Sequence, residues 1–272
     1  MRRFLSVWML GIFFLLPSVS RATTATIIGD SSSGNCRTSQ AQINTNLTNI
    51  LSGGLGYTVT YVDLATASFP SLTGETQVWD IRCYTALSGS DQTDYQTYLG
   101  SGGSLFLLGE NDLAAARNSS IASFVTSLGG GTVTTSGLGT DLQTVLAPFT
   151  GPISISSVLY VAVGNFTSYG TGSPVSQAGS SVGTVYWGPG TLSNVMTGTV
   201  ISMLDVNPLI TSTLRTNFVS NIASYLASPN PTPPTPPAPP QPIPMLTEWG
   251  QIMMMLAMIA TAGFYGWRMK QR

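Results

Sequence analysis

Three acidic residues directly follow or end apolar, strand-like segments of the sequence. Asp30 follows the run TATIIG, Asp80 ends the run VWD, and Glu110 follows the run SLFLLG. The carboxyl ends of parallel strands meet at one edge of a sheet, and open α/β sheets bind ligands there. Two carboxylates roughly 5–9.5 Å apart in a cleft could hydrolyse a glycosidic bond. Together with Arg82 and Arg117, which are close by in sequence, they form a candidate ligand site.

The same five residues have a second interpretation, which we favour. Carboxylates and guanidinium groups at a sheet edge can also form an internal network of ion pairs and helix caps that satisfies buried polar groups. Asp30 and Asp205 could bind a hard cation, but the Asp-rich loop of twelve residues that is typical of calcium sites is absent from the sequence. We therefore predict no metal site.

The composition excludes several classes of function. The chain of 272 residues has no histidine, which excludes a Ser-His-Asp triad, a Cys-His pair and the usual zinc sites. Its only lysine is Lys270, so a phosphate-binding loop lysine or an internal Schiff base is excluded as well. Lys+Arg 10 against Asp+Glu 11 leaves no basic excess for nucleic acid. We predict no cofactor and no nucleic-acid partner.

Strand and helix patterns alternate in the first half of the chain, which predicts βαβ units and a parallel sheet. The second half is richer in strands and closes with a helix. We predict a flavodoxin-like three-layer α/β sandwich with a mostly parallel sheet and a β-rich insertion near 132–190. The predicted strands are 24–29, 57–62, 78–81, 103–108, 132–135, 153–156, 159–163, 184–187 and 199–204, and the predicted helices are 38–51, 90–99, 119–128 and 212–227.

This order, with the segments VWDIRC and GGSLFLLGEN, resembles class I glutamine-amidotransferase-like domains. Active members of that family carry a cysteine nucleophile at the turn from strand to helix, with a histidine and a glutamate later in the chain. Here the turn reads Gly109-Glu110-Asn111, and no histidine exists. The resemblance implies the fold but not the hydrolytic chemistry, so we predict that the domain is not an enzyme.

The N-terminus has the pattern of a secretory signal peptide. Two arginines precede an apolar run over 4–16, and small residues follow at Ser20 and Ala22. We predict cleavage by signal peptidase after Ala22; an uncleaved anchor helix is the alternative. Because export favours disulfides, we predict that Cys36 and Cys83, each just past a strand, form a bond, the alternatives being buried thiols or a reactive pair.

The C-terminus has three successive features. Residues 229–242 read PNPTPPTPPAPPQP, which predicts a polyproline II stalk. An apolar run over 252–267 then predicts a transmembrane helix, and the basic end at 268–272 holds that end in the cytoplasm. The segment in front of the helix resembles IPTL-CTERM sorting signals, with methionine in place of threonine. The residues of this motif are Ile243, Pro244, Met245, Leu246, Trp249 and Gly250.

That resemblance implies recognition by an exosortase-type transpeptidase of a bacterial membrane and delivery to the cell envelope or surface; an uncut anchor is the alternative. The predicted organisation is therefore a signal peptide (1–22), an exported domain (23–228), a stalk (229–242) and a sorting segment (243–272). We expect a protein anchored in the inner membrane that faces the periplasm or is later released to the cell surface. Its domain would be a non-catalytic binding or structural module for a glycan or envelope polymer. A carboxylate-dependent hydrolase or carbohydrate-active enzyme is the alternative.

Overall fold

The computed structural model describes residues 23–32, 40–210 and 213–227. The predicted signal peptide with Ala22, the segment that contains Cys36, the stalk and the whole sorting segment lie outside the described residues. Within the described residues, no helix is both long and apolar enough to cross a membrane.

The described chain contains eleven strands and four α-helices. The strands are β1 (Thr24–Gly29), β2 (Thr58–Asp63), β3 (Gln77–Asp80), β4 (Ser104–Leu108), β5 (Val133–Leu138), β6 (Leu142–Val145), β7 (Ser157–Leu159), β8 (Gly164–Tyr169), β9 (Ser173–Ala178), β10 (Ser181–Trp187) and β11 (Thr199–Met203). The helices are α1 (Gln40–Thr48), α2 (Gly89–Gly100), α3 (Ala115–Ser127) and α4 (Thr213–Leu226).

Nine of these strands form one mixed sheet in the order β2-β1-β3-β4-β11-β10-β9-β6-β7. The first five of this order are parallel, and their arrangement is that of a flavodoxin-like sheet. The remaining four pair antiparallel, beginning with β10 on β11. The predicted β-rich insertion is therefore largely an extension of the main sheet, and only β5 and β8 form a separate two-stranded sheet.

Helices cover both faces of the parallel strands. Apolar residues of α1 and α4, such as Ile43 and Phe218, pack on one face in a cluster that includes Trp79. Apolar residues of α2 and α3, such as Leu99 and Phe124, pack on the other face. Strand β4 is buried along its whole length, as a parallel strand between two helical layers must be. The predicted three layers are present.

Several predicted boundaries were wrong. Helix α3 begins at Ala115 rather than near 119, because Asn111 accepts a hydrogen bond from the backbone of Leu113 and starts a 3-10 turn that leads into the helix. No strand covers 153–156, and only Ser157–Leu159 of the following segment pairs with a neighbour. Strands β6, β8 and β9 were missed. Strand β6 is only four residues long, and the sequences of β8 and β9 are mostly small and polar.

A buried polar cluster ties the antiparallel strands together. The hydroxyl of Tyr160 lies 2.6 Å from that of Ser176 and 2.7 Å from that of Thr184. Ser176 also donates to the side-chain oxygen of Gln143 at 2.8 Å. In contrast, the buried hydroxyl of Ser202 on β11 has no hydrogen-bond partner in the described part of the chain.

These two buried serines should respond oppositely to alanine. Ser176→Ala should cost about 1–2 kcal/mol, because it leaves buried polar atoms of Tyr160 and Gln143 short of a partner. Ser202→Ala should be neutral or stabilising by up to about 1 kcal/mol, because it removes an unsatisfied hydroxyl. Urea denaturation of the full chain measures both. Equal losses for the two variants would contradict the assignment.

Candidate functional site

A carboxylate stands at the C-terminal end of every parallel strand. In order across the sheet these residues are Asp63, Asp30, Asp80, Glu110 and Asp205. Asp63 and Asp80 are the last residues of β2 and β3, whereas Glu110 and Asp205 lie two residues beyond β4 and β11. The structure therefore brings the three predicted carboxylates to one edge, and it adds one on each side.

Asp80 is the centre of a buried ion-pair cluster. Its Oδ2 lies 2.7 Å from Arg82 Nη2, and its Oδ1 accepts a hydrogen bond from Arg82 Nε at 3.0 Å. On the other side, Arg117 Nη2 forms an ion pair with Oδ1 at 3.0 Å, but the geometry of this contact is not that of a hydrogen bond. Tyr95 donates its hydroxyl to Oδ2 at 2.9 Å. Asp80 and Arg117 are completely buried, and only 3% of Arg82 is exposed.

Both arginines have further partners that fix their orientation. Arg82 Nη1 pairs with Asp91 Oδ2 at 3.0 Å, and Asp91 also belongs to the capping box that starts α2 with Ser88. Arg117 Nε donates to the carbonyl of Leu108 at 2.9 Å, at the end of β4. Arg117 Nη1 donates to the carbonyl of Thr85 at 3.1 Å. The cluster thus connects β3, β4, α2 and α3.

The cluster holds Asp80 in its charged form. Burial alone would raise the pKa of this carboxyl, but the attraction of Arg117 and of Arg82, together with hydrogen bonds from Arg82, outweighs it and holds the pKa well below its usual range. The same cause acts on Arg82: burial opposes its charge, but Asp80 raises the pKa of the guanidinium. A carboxylate whose lone pairs are committed in this way cannot serve as a general base.

The ends of β1 and β2 are held by short loop contacts. Asp30 accepts hydrogen bonds from the backbone and hydroxyl of Ser32 and, at 2.7 Å, from the hydroxyl of Thr85. Asp63 accepts two hydrogen bonds from Ser31, through its backbone and its hydroxyl. These hydrogen bonds lower the pKa of Asp63. The carbonyl of Thr85 accepts from Arg117, so the Asp30 contacts are joined to the Asp80 cluster.

Glu110 and Asp205 form a second, chemically different group. They follow β4 and β11, which are neighbours in register, with Met203 opposite Leu108. Glu110 accepts backbone hydrogen bonds from Asn111 and from Val206, both at 3.1 Å. Glu110 is 5% exposed and Asp205 is 0% exposed. No arginine pairs with Glu110 in the described structure. The positive charge of Arg215 favours the charged form of Asp205.

Burial raises the pKa of both carboxyls. For Glu110, burial and then the charge of Asp205 raise the pKa to about 7, against the hydrogen bonds from Asn111 and Val206. For Asp205, burial raises the pKa to about 6, although hydrogen bonds from Asn207 and Val161 favour the charged form. A buried carboxyl pair with raised pKa values is the electrostatic pattern of an acid–base site, but structural pairs show it too.

The chemistry of the edge is therefore divided. Asp30, Asp80, Arg82 and Arg117 belong to one connected network, whereas Glu110 belongs to a separate pair with Asp205. Among the described residues, no group of three or more acidic, cysteine or histidine side chains could hold a metal ion. The sequence did not indicate Tyr95 or the role of Asp63, although the Ser-x-x-Asp pattern at 88–91 was a usable signal for a capped helix next to the cluster.

Of the two cysteines in the predicted disulfide, the described residues include only Cys83. Cys83 is completely buried three residues after β3, and the described residues contain no free cysteine. Cys36 lies outside the described residues. The Cys36–Cys83 bond therefore stays a prediction.

Comparison with known proteins identifies the fold. No protein-family model and no curated protein matches the sequence. Among solved structures, the mmIFT52 N-terminal domain matches with a TM-score of 0.53 and 10% identity, over 75% of this chain and 97% of that one. A ThuA-like protein from Bacteroides uniformis matches with a TM-score of 0.50 and 13% identity, over 79% of this chain and 95% of that one.

A glutamine amidotransferase from Thermotoga maritima is also similar, with a TM-score of 0.47 and 7% identity, over 76% of this chain and 98% of that one. At this level of identity, likeness to the mmIFT52 domain and to the ThuA-like protein shows the fold alone. The described domain has a flavodoxin-like α/β fold of the kind found in ThuA-like proteins. Its function has to be argued from the residues at its edges.

Proposed function

We propose that this chain is an exported protein of the bacterial cell envelope whose domain, residues 23–228, is a non-catalytic binding or structural module. One observation carries the non-catalytic part: at the edge where sheets of this type bind ligands, Asp80 is buried between Arg82 and Arg117. In this proposal, the arginines fill the part of the edge at which a substrate would approach Asp80.

The composition supports the same proposal. Without a histidine, the turn at Glu110 has no partner for a nucleophile of the amidotransferase type. Each carboxylate oxygen of Glu110 accepts a backbone hydrogen bond, and the side chain is 5% exposed. A substrate would have to displace these contacts before it reached the carboxyl group.

Export and sorting rest on the two ends of the sequence. The arginines, apolar run and small residues before Ala22 favour a cleaved leader, and the motif at 243–250 favours an exosortase-type transpeptidase. In this proposal the domain first faces the periplasm, attached to the inner membrane through residues 252–267, and is then released to the surface. Its partners are signal peptidase, the transpeptidase and a glycan or envelope polymer.

Intact-mass analysis of the protein purified from its host tests the targeting part. We expect a mass that begins at Thr23 and ends between Pro242 and Gly250. A mass that begins at Thr23 but includes Arg272 would replace sorting by a permanent anchor. A cytosolic product that retains Met1–Ala22 would overturn export.

The alternative is a carboxylate-dependent hydrolase, and the raised pKa of Glu110 is the observation that favours it. A panel of amide, ester and glycoside substrates tests it on the full chain, with Glu110→Gln and Asp112→Asn as the matched pair. Asp112 is exposed and lies on the same loop, two residues further along. We expect no turnover. Turnover that Glu110→Gln abolishes and Asp112→Asn leaves unchanged would overturn the non-catalytic proposal.

A further inference from the structure

An open groove lies at the edge of the sheet opposite the carboxylates. It has a volume of about 860 Å³ and is lined by the amino ends of β1, β3 and β4, where Thr23, Thr76 and Ser104 stand. Ligand pockets in proteins are commonly about 300–1,000 Å³, so the groove could accommodate a short oligomer. The loop before β3 and the ends of α2 and α4 complete its walls.

The floor of the groove is held rigidly. The hydroxyl of Tyr98 donates to the carbonyl of Ser104 at 3.2 Å and accepts from the same residue's backbone N–H at 3.1 Å. Gly103 packs directly on the Tyr98 ring: a Cβ at this glycine would lie 2.4 Å from the ring, so no other residue fits without a shift. A floor fixed in this way needs little ordering when a ligand binds.

The walls combine apolar and hydroxyl groups. Phe69 and Pro70 lie on one side, and the ring of Phe69 is fixed by an edge-on contact with Tyr95, with 5.4 Å between the ring centres. Hydroxyl side chains line the same groove. They are Thr23, Ser71, Thr73, Thr76, Thr97, Ser101 and Ser104. Apolar faces flanked by hydroxyls suit a ligand that itself alternates C–H surfaces with hydroxyl groups.

The charge of the lining is negative. Glu75 and Asp94 line the groove, and no described residue of its lining is basic. The lining stays net negative even when the ammonium that cleavage after Ala22 would create at Thr23 is counted. An anionic ligand is therefore disfavoured, and a ligand that carries amines is favoured.

We propose that this groove, called here the amino-edge groove, binds an amine-bearing oligosaccharide of the glucosamine type. Its hydroxyl and apolar walls contact the sugar rings, and Glu75 and Asp94 pair with protonated amines. The inference rests on the proposed role of the domain as a non-catalytic binding module and names the chemical class of its ligand.

Calorimetric titration of the full chain in detergent tests this proposal with three probes of equal length. These are a glucosamine tetramer, its N-acetylated form and a galacturonic acid tetramer, at low salt and at a pH where the amines are protonated. We expect saturable binding of the glucosamine tetramer, about fivefold or more tighter than the N-acetylated form, since two ion pairs are involved, one at half-buried Glu75 and one at exposed Asp94. We expect no binding of the acidic tetramer.

The double variant Glu75→Gln/Asp94→Asn should lose about fivefold or more in affinity for the glucosamine tetramer and keep its affinity for the N-acetylated form. Asp112→Asn, on the opposite edge, is the matched control and should change neither. Three results would each overturn the proposal: no saturable binding of the glucosamine tetramer, equal affinity for this tetramer and its N-acetylated form, or a double variant that binds the glucosamine tetramer as the native chain does.

Sugar reducing ends measured in the same samples separate the two proposals. Binding without release of reducing ends is the expected result and supports both. Release of reducing ends would overturn the non-catalytic function. If the native chain neither binds the glucosamine tetramer nor releases reducing ends, only the proposal that the amino-edge groove is a binding site is overturned.

Discussion

Replacing Asp80 by asparagine should lower the free energy of unfolding by about 3–5 kcal/mol, the usual cost of breaking a buried ion pair by removing one partner. The variant leaves Arg82 and Arg117 buried close to one another without the carboxylate that lies between them. An asparagine side chain can accept from one guanidinium only through its single oxygen, and its amide group then faces the other donor. Urea denaturation followed by far-UV circular dichroism measures the loss.

The matched control for this variant is Asp112→Asn, which neutralises an exposed carboxylate near the same sheet edge and should change stability by less than about 0.5 kcal/mol. A double-mutant cycle gives a sharper test. Arg82 keeps Asp91 as a partner, so Arg117 is the guanidinium that Asp80→Asn leaves without a carboxylate. Because Arg117→Met removes that charge, the cost of Asp80→Asn should be smaller in its presence than in the native chain. Independent, additive losses would show that the ion pair does not carry the stability.

The candidate residues at the sheet edge could be predicted from sequence, but their division into two groups could not. Asp80 and Arg82 are two residues apart, so their proximity follows from the strand end. Arg117 comes from a helix more than thirty residues later, and only the packing of α3 on β4 brings it to Asp80. Glu110 is near Asp205 because β11 lies beside β4 in the sheet. This position depends on the fold of α3 and of strands β5 to β10, which separate β4 from β11 in the sequence.

The parallel half of the sheet was predictable for a physical reason. Its inner strands β1, β3, β4 and β11 are buried on both faces, so they appear as short, largely apolar runs between helices with a clear periodicity. Apart from β10, which is buried along its whole length, the antiparallel half lacks this signal. Strand β9, with the sequence SPVSQA, alternates weakly and contains a proline, and β8 includes polar residues throughout. In this half, pairing with neighbours and buried hydroxyl contacts such as those of Ser176 decide the structure.

The stability of the domain should increase by about 3–4 kcal/mol when the pH is lowered from 8 to 5, because over this range the raised pKa of Glu110 contributes about 2–3 kcal/mol and that of Asp205 about 1 kcal/mol. Burial raises the pKa of Glu110 from 4.5 to about 7 and that of Asp205 from 3.8 to about 6. The folded chain therefore binds more protons than the unfolded chain between these limits. The stability that is linked to the protonation of these two carboxyls is fully present below their unfolded pKa values and is lost as the pH rises through their folded pKa values.

Below about pH 4 the trend should reverse. The pKa values of Asp80 and Asp63 are lowered in the fold, so the stability that these residues contribute is present above their unfolded pKa and is lost as the pH falls further. Stability should consequently pass through a maximum between about pH 4 and 5. Thermal unfolding of the full chain, recorded at intervals from pH 3 to pH 8, measures this profile.

The slope between pH 5 and 8 can be assigned by substitution. Glu110→Gln should reduce it and Glu110→Gln/Asp205→Asn should remove it, whereas Asp63→Asn should leave it unchanged because that carboxyl titrates at lower pH. The slope is the correct quantity to compare, since a glutamine amide would face the backbone donors of Asn111 or Val206 and lower stability at every pH. A slope that persists in the double variant, or stability that rises towards pH 8, would mean that this pair is ionised without penalty in the folded chain.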